Sequence, residues 1–79
     1  MTTIDLDYPI NINGEEVKQL KMRRAKARDL KKAQIAAQDQ ASQELHLFAL
    51  LTDVNPEDLE ELDVKDYSKL QKEYTAFLS

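Results

Sequence analysis

The stretch IDLDYPININGEEVKQLKM, from Ile4 to Met22, decides whether this chain contains any sheet. From Ile4 to Tyr8 apolar and polar residues alternate, the period-two pattern of a half-buried strand. Asn13-Gly14 follows, a strong hairpin signal because both central positions of a type I′ turn need positive φ. A two-residue turn there pairs Ile12 with Glu15 and Ile10 with Val17. Continued strictly, that register sets Tyr8 against Gln19 and Leu6 against Lys21, which wastes the apolar face. One extra residue near Lys18 or Gln19 would bring Leu20 and Met22 opposite Tyr8 and Leu6, so a β-bulge is predicted in the second strand. Pro9 has no amide proton, and its amide side is expected to face away from the partner strand.

Beyond Met22 the patterning is helical. The segment AKARDLKKAQIAAQDQASQ (Ala25 to Gln43) is rich in helix formers and free of glycine and proline. Leu30, Ala33, Ala37 and Ala41 recur there at helical spacing and predict a narrow contact stripe. A helix from about Gln43 to Thr52 is ringed by Leu45, Leu47, Phe48, Ala49, Leu50 and Leu51, then Val54, and belongs at the centre of a core or at a subunit contact. In DVNPEDLEEL, Asn55 is a preferred N-cap and Pro56 occupies the first helical position, with Glu57 and Asp58 complementing the helix dipole. Asp63 can cap a final helix, with Asp66 in the acidic capping-box position. Val64, Tyr67, Leu70, Tyr74 and Phe77 form its expected apolar face. The prediction is one α+β domain over 1–79: a hairpin at 3–23, then a mainly helical part at 26–78 with three or four short helices.

A chain of 79 residues is one small domain with a minimal core. It has no cysteine to reinforce it. The start, MTTIDLDYPI, carries acids where a signal peptide has bases, and the longest apolar run, LFALL, is far below the ~20 residues that span a membrane. A soluble intracellular protein with no membrane partner is expected. Net charge is −4, but unevenly spread: eight of eleven bases lie between Lys18 and Lys32, and seven of fifteen acids between Asp53 and Asp66.

Counted from Asp53, oxygen-bearing side chains fall at EF-hand positions one, three and five, but Asp58 stands where glycine is needed and Val64 where a bidentate glutamate is required. No metal site, cofactor or catalytic constellation is predicted, and His46 is placed at the edge of the apolar helix. On a helix, Arg24, Arg28, Lys31 and Lys32 would share a basic face. With no aromatic residue for base stacking and a negative net charge, a solvated face outranks nucleic-acid binding. Cations near a helix N-terminus are unfavourable, however, and call for an acidic counterpart, either Asp53 to Asp66 of the same chain or that of a neighbour.

The order L-x-x-P-I-x-x-x-G-x-x-V-x-x-L-x-M-R, Leu6 to Arg23, followed by RAKARDL, resembles the start of the small E-type tail assembly chaperones of contractile-tailed, Mu-like phages and prophages. Ala25-Lys26 stand where members often have a proline–threonine pair. NPEDLEELDVKDY and the aromatic-bearing tail ending FLS extend the resemblance to Leu78. It implies a non-enzymatic protein of the host bacterial cytoplasm, absent from the mature virion. Such a protein would bind the tape measure protein and help recruit tail tube protein. A homo-oligomer stays open beside this, since the apolar helix from Gln43 to Thr52 suits a subunit contact as well as a core. The contact residues expected on this basis are Arg24, Arg28, Lys31 and Lys32, with Leu47, Phe48, Leu51 or the Tyr67–Tyr74–Phe77 face receiving a helix. The apolar members of that set are also the obvious internal core, which is the first expectation for them. The alternative function is a small nucleic-acid-binding or regulatory protein using residues 18–32.

Overall fold

A computed structural model describes all residues, 1–79. Strands β1 (Thr2–Ile12) and β2 (Glu15–Met22) form an antiparallel hairpin, followed by helices α1 (Ala27–Ala36), α2 (Gln40–Thr52), α3 (Pro56–Leu59) and α4 (Val64–Phe77). The α+β class and the hairpin-then-helices order are as predicted. Asn13 and Gly14 both take positive φ, 53° and 83°, and Ile12 pairs with Glu15 and Ile10 with Val17.

The predicted bulge is on the other strand. Leu20 faces Ile4 and Met22 faces Thr2, so Leu6, Asp7, Tyr8 and Pro9 of β1 all lie opposite Lys18 alone. Asp66, in the first turn of α4, accounts for the displacement. The Asp7 N–H donates to Asp66 Oδ1 at 2.8 Å and the Tyr8 N–H to Oδ2 at 3.0 Å. A regular ladder could not turn two successive amides toward one carboxylate; a bulge can. Pro9, which has no amide to contribute, sits in the same irregular segment.

Asp66 therefore does not close a capping box. Asp63 caps α4, accepting from the Lys65 N–H at 2.9 Å, while the Asp66 carboxylate is fully buried against β1. Lys69 Nζ lies 3.3 Å from it and donates to the Asp5 carbonyl at 2.8 Å. One turn further, the Thr2 hydroxyl donates to Glu73 at 2.8 Å. Residues 66, 69 and 73 thus form a polar stripe at helical spacing that fastens α4 along β1 and covers part of a strand edge. Val64, expected on the apolar face, is 82% exposed.

Helix α1 ends at Ala36, earlier than the expected stripe requires. Ala37 is extended, Asp39 accepts from the Ser42 N–H to start α2, and Gln43 Nε2 donates to the freed Ala37 carbonyl at 3.0 Å. Of the expected stripe only Ala33 is buried; Ala37 lies in the turn, while Leu30 and Ala41 are exposed. Helix α2 starts three residues before the expected Gln43 and supplies the centre of the core. Phe48 is fully enclosed, with the rings of Tyr67 and Tyr74 tilted against it at 5.5 and 5.8 Å between centroids. Met22, Leu51, Leu59 and Leu70 complete the centre. Asn55 and Pro56 start α3 as predicted, although the Asn55 side chain makes no capping hydrogen bond.

Replacing Asp66 by alanine leaves the Asp7 and Tyr8 amides without their acceptor, at about 1.5–3 kcal/mol for each hydrogen bond to the charged group. It also takes one of two carboxylates from beside Lys69. Asp63→Ala removes only a cap, costing about 1 kcal/mol. Urea unfolding should therefore show D66A largely unfolded or far less stable than D63A; equal losses would contradict the role assigned to Asp66.

Candidate protein-binding surfaces

A second buried acid governs the junction between hairpin and helices. Asp29, in the first turn of α1, accepts two parallel hydrogen bonds from Arg23, each 2.8 Å, and one from the Lys26 N–H at 2.8 Å. Its side chain is almost fully buried, and the Arg23 N–H donates to the Leu51 carbonyl at the end of α2. The Arg23 guanidinium holds the Asp29 carboxyl far below the usual carboxylate range. Burial pushes the Asp66 carboxyl up, but the Asp7 and Tyr8 amides and Lys69 outweigh it and bring it below its ordinary value. The two most enclosed acids are thus fully engaged in holding the fold. Desolvation, then the Glu44 carboxylate that accepts from its hydroxyl at 2.9 Å, pushes the Tyr67 phenol well up, so it stays protonated at any working pH. No cluster of three or more His, Cys, Asp or Glu side chains is gathered to hold a metal, and no helix is long and apolar enough to cross a membrane.

The expected contact residues divide into three groups. Leu47, Phe48 and Leu51 are 4%, 0% and 1% exposed, so a partner cannot reach them in the folded chain. Arg24 lies outside α1 and is committed elsewhere: its guanidinium stacks over Phe77 at 5.2 Å and donates to the Phe77 carbonyl at 2.9 Å, as suits a cation at the C-terminal end of α4. Arg28, Lys31 and Lys32 stay together, exposed, on α1. Tyr67, Tyr74 and Phe77 line up half-buried along α4.

Two surface grooves are built around these residues. The first, of about 420 Å³, has α2 as its floor through His46, Ala49 and Leu50. One wall is α1 (Lys32, Ala33, Ala36); the other is the segment from Asp53 to Pro56. His46 continues across to Glu57 of α3 and to Glu60 just beyond it. The second, of about 440 Å³, runs between α2 and α4 and is lined by Ala41, Ser42, Glu44, Leu45, Tyr67 and Gln71. The sequence gives no sign of Gln71, and it sets Ala41 in a stripe with Leu30, Ala33 and Ala37 rather than on α2 facing α4. Their place in a groove depends on how α2 and α4 cross, which no local pattern encodes.

The enclosed acids of this α+β fold are structural, and its accessible features are grooves between helices. The family model described as phage tail assembly chaperone proteins, E, or 41 or 14, matches residues 3–79, and the chain belongs to that family. Neither the curated proteins nor the solved structures include a match. Membership gives the chain protein partners in tail assembly, points to a non-enzymatic role, and places that role in assembly rather than in the virion.

Both buried acids have depressed carboxyl pKa values, so the stability they contribute is present above their unfolded value of about 3.9 and is lost as pH falls through the folded values. The urea midpoint should be nearly flat from neutral pH to about 5 and drop below about 4. In Asp66→Asn that acid limb should be shallower; an unchanged limb would show that Asp66 is not linked to folding.

Proposed function

We propose that this chain is the chaperone of a tape measure protein in a contractile-tailed, Mu-like phage or prophage. It works in the host cytoplasm, keeps that long helical protein soluble, assists recruitment of tail tube protein and leaves before the virion is complete. Family membership over residues 3–79 is the observation that carries this reading. The α2–α4 groove supports it. Leu45 and Tyr67 offer an apolar bed, Ala41 leaves room for a close approach, and Tyr74 and Leu78 continue the same side of α4 one and two turns beyond Gln71. Leu78 is 72% exposed. The nucleic-acid alternative over 18–32 is weakened, because Arg23 is locked to Asp29 and Arg24 to Phe77.

Co-expression with the tape measure protein, followed by co-elution at about 0.5 M salt, where exposed charges are screened within a few ångströms, tests the function. A soluble, co-eluting tape measure protein is expected. Ala41→Arg with Gln71→Arg alters only exposed positions of the groove. This pair should abolish co-elution while leaving the unfolding midpoint within about 0.5 kcal/mol of the parent. Full co-elution of the variant would move the contact to another face, and an insoluble tape measure protein with the unaltered chain would refute the function.

A further inference from the structure

The first groove carries opposite charges on its two sides, and neither side is neutralised within the chain. Arg28 and Lys32, one turn apart on α1, take part in no ion pair. Across the α2 floor, Asp53, Glu57 and Glu60 are equally unpaired. The bases that do pair with acids elsewhere in the fold are Lys18 with Glu16, Arg23 with Asp29, Lys65 with Asp7, and Lys69 with Asp7 and Asp66. The acidic counterpart that the basic segment calls for is therefore not supplied by the chain's own 53–66 segment. Arg28 is the second residue of α1, where a cation opposes the helix dipole and an external carboxylate would offset it.

We propose that this groove is the interface of a two-fold homodimer, occupied by the same groove of a second copy of this chain. An isologous interface must be its own complement. A two-fold axis running along the groove exchanges its sides, so α1 of each copy lies against the Asp53–Glu60 side of the other. Arg28 and Lys32 then meet Glu57 and Glu60 in both halves of the contact. The lining suits this arrangement: Ala36, exposed on the α1 wall, leaves room for a close approach, and Leu50 of the floor, 36% exposed, supplies apolar area near the axis. The α2–α4 groove contributes nothing to the contact, so the dimer forms independently of any tape measure protein.

Sedimentation equilibrium of the whole chain in the micromolar range, at about 0.05 M and about 0.5 M salt, tests the proposal together with two charge reversals. The unaltered chain should dimerise and weaken at the higher salt. Arg28→Glu/Lys32→Glu leaves both sides acidic, and Glu57→Lys/Glu60→Lys leaves both basic. Each variant alone should lose at least about tenfold in dimer affinity, and an equimolar mixture of the two should recover it as a heterodimer. Circular dichroism confirms that each is folded, and Glu60→Lys alone replaces the second variant if the α3 pair does not fold. A monomeric unaltered chain, variants that dimerise as well as the parent, or a mixture of folded variants that stays monomeric would each overturn the proposal. Overturning it equally would be a monomeric parent whose charge reversals abolish tape-measure co-elution, since the groove would then hold that protein.

Discussion

The Asp66 carboxylate is the constraint from which most of the architecture follows. It is fully buried in the first turn of the last helix, yet its acceptors are filled by amides almost sixty residues earlier in the chain. Satisfying it requires β1 to bulge, and the bulge sets which residues of β1 face Leu20 and Met22. A two-stranded hairpin is only marginally stable alone. Here it gains a helix along its edge, and α4 gains a fixed position, through the same group. Lys69 and Glu73 extend the attachment to Asp5 and Thr2, so the hairpin and the C-terminal helix form one unit.

Asp29 and Arg23 do comparable work at the other junction. Their paired hydrogen bonds set where α1 begins, while the Arg23 amide ties the end of β2 to the end of α2. Together the two buried acids sort the charges of this polarised chain. Arg23, Lys65 and Lys69 are used internally, whereas Arg28, Lys31 and Lys32 on α1 and Asp53, Glu57 and Glu60 across from them remain free. An exposed charge that the fold does not use is available to a partner. This is why the surface chemistry of so small a protein concentrates on the α1–α3 side.

Membership of the tail assembly chaperone family fits the proportions of the molecule. Its core is built round one helix, α2, with Phe48 at the centre. What remains accessible lies in the grooves where α2 meets its neighbours. The aromatic side of α4 and the charged side of α1 are separate surfaces, so one can hold a helical partner while the other meets a second copy.

Local chemistry in the sequence by itself determined the hairpin turn at Asn13-Gly14, the start of α3 at Asn55-Pro56, the cap at Asp63 and the core membership of Leu47, Phe48, Ala49 and Leu51. Each of these depends on residues a few positions apart: φ preference, a missing amide proton, or apolar residues crowding one short helix. The order of motifs from Leu6 to Leu78 also sufficed for the family, because spacing survives without any knowledge of packing. The break at Ala37 was legible in Asp39 and Ser42 but was masked by the uniform helix propensity around it. Tertiary structure alone decided the side of the bulge, the burial of Asp66 and Asp29, the use of Arg24 on Phe77, and the two grooves. A carboxylate at a helix start looks the same in sequence whether it caps its own helix or grips a distant strand. Only the three-dimensional arrangement reveals which unsatisfied amides lie within its reach.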